Sequence, residues 1–140
     1  MPLFEAGRTF LDKKATNTDG SKAKYFIGMN DADFEDDYIV CFVFNTENRI
    51  DLLPNIGCVK AKLKYVIEPG TFSYITKHSS IDLYPVYYKL KELLDNPNIV
   101  ELDKADDNLS RRIKNCIDEK LIPPKAWNLI KDSFKHNKKD

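Results

Sequence analysis

Residues 70–84, GTFSYITKHSSIDLY, concentrate side chains that can do chemistry. Ser73, Tyr74, Thr76, Ser79, Ser80 and Tyr84 surround His78, one of 2 histidines in the chain. An imidazole ordinarily titrates close to neutrality, so His78 is the side chain best suited to act as a general acid or base. It serves equally well as a solvated or hydrogen-bonded loop histidine. Ser73 and Thr76 alternate with Tyr74 and Ile75, a pattern that also describes the wet face of an ordinary strand. A second set is the row Lys60, Lys62 and Lys64, a short electropositive strip able to follow a nucleic-acid backbone. The same row can equally be a solvated strand face that guards a sheet edge.

Other chemistries lack their residues. No Gly-rich phosphate loop, HExxH helix or nucleophile elbow is present. The acidic run Asp31, Asp33, Glu35, Asp36, Asp37 has no glycine and no calcium-loop spacing, so neither a metal nor a cofactor is expected. Lys plus Arg and Asp plus Glu balance at 22 each, which removes any global positive field. The three cysteines, Cys41, Cys58 and Cys116, are an odd number without CxxC spacing and read as reduced thiols. Cys41 sits in the apolar run YIVCFVF, as a small buried hydrophobe would. The N-terminus MPLFEAGR lacks the basic and apolar regions of a signal peptide. The longest apolar runs, about seven residues, fall far short of the roughly 20 that span a bilayer. The expectation is a cytoplasmic protein without a membrane partner.

The elements that must position these residues fall into two regimes. Up to about Leu90 the chain is rich in β-branched and aromatic residues, in short runs cut by turn signals. RTFL (8–11) and KYFIGM (24–29) read as strands, separated by a polar segment that holds the Asp19-Gly20 turn pair. YIVCFVFNT (38–46) lacks alternation and reads as a strand buried on both faces. CVKAKLKYVI (58–67) alternates apolar residues with lysine and reads as one half-buried strand. DLYPVYYKLKELL starts strand-like and can end in a helical turn, with Pro85 at an edge or bend. Beyond it, 107–120 carries the stripe Leu109, Ile113, Cys116, Ile117, with Asp106 or Asp107 as cap. In 123–134 a leading proline precedes Trp127, Ile130 and Phe134.

This order of elements resembles the MazF/PemK-like toxin barrels, in an uncharacterised divergent branch. KYFIGMND followed by a buried strand ending VFNT is similar to that family's opening, where a strand runs into Asn-Asp and the next ends in Thr or Ser. EPGTFSYITKHSSIDL and the tail DKADDNLSRRIKNCIDEKLIPPKAWNLI resemble later segments of the same branch. The resemblance implies a metal-independent endoribonuclease acting on single-stranded RNA, as a homodimer held in check by an antitoxin. It matches Thr46 to the family's threonine and Ser79 to its serine, which could orient a phosphate. The family's arginine is replaced by Ala23, with Lys22 and Lys24 on either side. A lysine supplies charge to a scissile phosphate but not the bidentate fork of a guanidinium.

The expected fold is mainly β (α+β): a small SH3-like antiparallel barrel with two C-terminal helices. A single domain over 1–140 would place the barrel at about 1–94 and the helical part at about 95–136. The expected catalytic set is Lys24, Thr46, His78 and Ser79, with Lys22, Lys60, Lys62 and Lys64 binding nucleic acid. The expected activity is a toxin-like endoribonuclease of a toxin–antitoxin or phage-defence system. The alternative is a non-catalytic barrel that binds a protein or nucleic-acid partner.

Overall fold

The computed structural model describes residues 2–15 and 22–134. The Asp19-Gly20 pair and the basic end of the chain lie outside the described residues. Eight strands occur in the order β1 (Arg8–Ala15), β2 (Lys22–Gly28), β3 (Tyr38–Thr46), β4 (Gly57–Val59), β5 (Lys64–Ile67), β6 (Ser79–Asp82), β7 (Val86–Lys89) and β8 (Ile99–Lys104). A short helix α1 (Leu90–Asp95) precedes β8, and α2 (Asp107–Cys116) and α3 (Pro124–Phe134) follow it.

Every strand pairing is antiparallel. The spatial order is β4-β5-β6-β3-β2-β1-β8, with β7 also pairing β3. β3 organises the sheet, because its YIVCFVF run is apolar on both faces. Ile39, Val40, Cys41 and Phe42 are all fully buried, as the missing alternation predicts. Val40 and Phe42 join Ile27, Phe44, Ile67 and Ile81 in the core beneath α2 and α3. Ile39 and Cys41 join Phe10, Phe26, Tyr88 and Leu90 in a second core on the opposite face.

The mainly antiparallel α+β class stands, but the sheet does not close into a barrel: β4 and β8 remain as its two ends. The expected long strand over 58–67 is a hairpin. A 3-10 turn at Lys60–Lys62 and Leu63 in the left-handed conformation (φ 56°) divide it into β4 and β5. With three residues, β4 is too short to reach a partner across a barrel seam. Instead α2 leaves β8 at one end of the sheet and packs on β4 and β5 at the other. A Cys58–Cys116 disulfide, with Cα atoms 5.5 Å apart, ties α2 to β4. The reading of three reduced thiols is therefore corrected: only Cys41 is free, and it is buried. The cytoplasmic expectation loses the support it drew from unpaired thiols. No described helix is long and apolar enough to cross a membrane.

Two further differences concern element type. β8 lies in the stretch expected to be helical, because Ile99, Val100 and Glu101 complete β1 with cross-strand partners. The 70–84 stretch is a strand only at its end. Residues 71–77 form a turn-rich loop whose Phe72 and Ile75 are buried, opened by Gly70 at φ 88° and closed by its amide on Ile75 O at 2.7 Å. α2 is capped as expected, with the Asp106 carboxylate accepting from Leu109 N at 2.7 Å. It buries Leu109, Ile113 and Cys116. α3 begins at Pro124 and buries Ala126, Ile130 and Phe134, which leaves Trp127 half-buried under the Lys114 ammonium.

Candidate functional site

Register decides which of the expected residues meet. β2 and β3 pair Phe26 with Val43, which sets Lys24 opposite Asn45. β3 and β6 pair Asn45 with Ser80 and Thr46 with Ser79, and β5 and β6 pair Lys64 with Asp82. Successive residues of a strand point to opposite faces. Lys24, Asn45, Ser80, Asp82 and Lys64 therefore share one face, while Thr46 and Ser79 belong to the other.

On the first face a continuous polar chain crosses four strands. Lys24 Nζ donates to Asn45 Oδ1 (3.2 Å), and Asn45 Nδ2 donates to Asp82 Oδ2 (2.6 Å). Lys64 Nζ lies between Asp82 Oδ1 (2.9 Å) and Glu47 Oε2 (3.0 Å). Ser80, fully buried, donates its hydroxyl to Glu47. Burial alone would raise the Glu47 pKa, but hydrogen bonds from Ser80 and Lys64, and the charges of Lys64 and His78, leave it lowered. Burial would likewise lower Lys64, yet hydrogen bonds to Asp82 and Glu47 and their charges leave it raised. Both groups are thus held in their charged forms. A locked ammonium is no general base, and a hydroxyl shut off from solvent is no nucleophile.

On the second face, Tyr25, Phe44, Thr46, Tyr74, Thr76 and Lys77 are among the residues lining an open cleft of about 320 Å³. Tyr25 stacks on Tyr74 (centroids 4.6 Å, planes 21° apart), and Tyr74 stacks on Phe72 (5.6 Å, 10°). The Tyr74 hydroxyl donates to Thr9, which in turn donates to the Asp103 carbonyl, so the central ring is anchored to β1 and to β8. Burial, offset in part by the Thr9 hydrogen bond and reinforced by Asp103, pushes the Tyr74 phenol up to about 12. It stays neutral at any physiological pH.

Of the expected catalytic set, Thr46 is exposed in the cleft, and its cross-strand neighbour Ser79 is buried with its hydroxyl donating to Lys77 O at 2.8 Å. Lys24 is held on the opposite face. His78 precedes β6, and its carbonyl accepts from Glu47 N at 2.9 Å. Its Nε2 sits 2.6 Å from Leu53 O, a carbonyl that only accepts, so this nitrogen is the donor and fixes the 48–56 segment. The four residues thus separate: Thr46 neighbours Ser79, Lys24 is bonded to Asn45 on the other face, and His78 is bonded to the 48–56 segment. Of the expected nucleic-acid set, Lys22, Lys60 and Lys62 are exposed, but Lys64 is withdrawn into the ion cluster. The hairpin turn breaks the row the alternation implied. Tyr25, Lys77, Asn45, Glu47 and Asp82 were not singled out by sequence. Their roles depend on cross-strand register, for which a single sequence carries no signal. No protein-family model, curated protein or solved structure matches the chain.

Proposed function

We propose that the protein is a non-catalytic binding domain whose cleft takes an unpaired base of single-stranded RNA. The carrying observation is the three-ring stack Tyr25–Tyr74–Phe72, of which Tyr25 is the outer member and lines the cleft. A planar base entering there extends the stack, and base–aromatic stacking of this kind contributes about 1–3 kcal/mol per base. Thr46 and Thr76, both exposed, offer hydroxyls to base edges or the ribose 2′-OH, and exposed Lys77 offers charge to phosphate.

Cleavage in the manner of the MazF/PemK-like toxins is the second reading, favoured by Thr46 in the same cleft. It needs an acid and a base there, and the titratable groups lining that cleft are Lys77 and two tyrosines, one of them with a pKa pushed up to about 12. The test is fluorescence anisotropy of a labelled single-stranded RNA oligonucleotide, with RNA ends mapped after the titration. Saturable binding that weakens with salt, falls about tenfold or more in Tyr25→Ala and leaves the RNA intact supports the binding domain. New RNA ends that disappear in Thr46→Ala would establish the ribonuclease instead. Absence of binding, or equal binding by Tyr25→Ala, would remove the RNA site.

A further inference from the structure

A second cleft lies far from the aromatic one in chemical character. It has a volume of about 250 Å³ and is bordered by the N-terminal segment, the end of β8, the first turns of α2 and the end of α3. Its charged lining is Glu5, Asp31 and Asp107 against Lys104. Among the described residues, three carboxylates against one ammonium give the lining a net negative charge of two. Lys104 only partly answers them, at 3.7 Å from Glu5 and 3.9 Å from Asp107. Asp31 holds the cleft's shape: its Oδ1 accepts from Ala6 N (2.8 Å) and its own amide donates to Ser133 Oγ (2.8 Å). Its second carboxylate oxygen is not used in either contact.

The observation that turns this acidic lining into a site is Ser110. It is 3% exposed, and among the described residues its Oγ has no hydrogen-bond partner. Leaving a buried hydroxyl unpaired costs about 1–3 kcal/mol, so such a group calls for an explanation. Its surroundings are built to accommodate it. Gly7 (φ 97°) faces it, and a Cβ at that position would stand 2.6 Å from Ser110 Oγ. Any residue but glycine would collide with the hydroxyl. Ser110 itself is among the residues that line the acidic cleft.

We propose that this cleft binds a small organic ammonium ion, the end of an aliphatic diamine or polyamine. A primary ammonium carries three donors and no acceptor, which matches a lining of carboxylate oxygens and one hydroxyl oxygen. The volume exceeds the roughly 30 Å³ share of one water by several fold, so a carbon chain enters with the ammonium. Phe134 and Ala6 supply apolar surface for its methylenes. A bare divalent ion fits less well. Lys104 already stands between Glu5 and Asp107, and no three acidic, His or Cys side chains among the described residues are grouped to hold a metal.

The experiment is calorimetric titration of the full chain with 1,4-diaminobutane, with magnesium chloride at matched ionic strength as the control. Saturable diamine binding without equivalent magnesium binding is expected. Asp31→Asn and Ser110→Ala should each weaken it about tenfold, the effect of losing one hydrogen bond to a charged group. Thermal unfolding separates the roles: Ser110→Ala should unfold no earlier than the wild type without ligand, yet gain less from added diamine. Equal responses to diamine and magnesium, no saturation at millimolar diamine, or unchanged affinity in both variants would overturn the proposal.

Discussion

At the residue scale, identical side chains have been given different work by their register. Lys60 and Lys62 are exposed, Lys62 donating to Leu52 O, whereas the Lys64 side chain is only 25% exposed and sits between two carboxylates. Removing one partner of a buried ion pair costs about 3–5 kcal/mol, and partial solvent screening reduces that here. Lys64→Met should therefore cost about 1–2 kcal/mol in urea unfolding, and Lys60→Met no more than about 0.5 kcal/mol. Equal costs at both positions would show that the cluster contributes nothing. The pH dependence has a definite sign. The Glu47 pKa is lowered from its ordinary 4.5, so its stabilisation is present above that value and lost as pH falls through the folded value. The Lys64 pKa is raised from 10.5, so its stabilisation is full below that value and lost as pH rises through the folded one. Glu47→Gln should flatten the acid limb of the stability profile, measured by urea unfolding between about pH 3 and 6, and an unchanged limb would assign it to other carboxylates.

At the element scale, α2 carries the largest structural responsibility for its length. Ile113 is fully buried at its centre, and Ile113→Ala should cost about 2–5 kcal/mol by loss of burial and formation of a cavity. The disulfide joins residues 58 positions apart. Closing a loop of that size restricts the unfolded chain, and Cys58→Ser should lower stability by about 2–4 kcal/mol under non-reducing conditions. Reduction of the wild type with dithiothreitol should give a similar loss, read as a shift in the urea midpoint. A Cys58→Ser variant as stable as the oxidised wild type would mean that packing of α2 alone holds β4. The aromatic stack is likewise an element-level product, since it needs Tyr25 from β2 and Phe72 and Tyr74 from the loop before β6.

At the scale of the whole molecule, an open sheet has two ends to protect. β1 to β3 are paired on both sides, and 26–28 and 39–42 are buried on both faces, whereas β4 is a three-residue edge held by one disulfide. Hydrogen exchange should therefore be slowest in 25–28 and 39–44. Reduction of the disulfide should speed exchange in 57–67 and 109–117 and leave the β2–β3 amides protected. Uniform acceleration across the chain would show that the sheet and α2 unfold only as one unit.

Part of this was legible in the residues themselves, and the reason is periodicity. The unbroken apolar run of 38–46 required a strand covered on both faces, and the 3.6-residue stripe in 107–117 required a docked helix. Asp106 or Asp107 and the leading proline of 123–134 marked a cap and a helix start by local backbone preference alone. Where local pattern and tertiary pairing disagreed, pairing prevailed. Alternation over 58–67 is compatible with one strand or a hairpin, and only the place available beside β6 and α2 selected the hairpin. NIVELDK has no strong signal of its own and became a strand because β1 offered it an edge. Cys58 and Cys116 met because α2 crosses from one end of the sheet to the other. The separation of Lys24 from Thr46 and Ser79 has the same origin. Which face a residue occupies depends on a pleat counted from its partner strand, and that count exists only once the strands are paired.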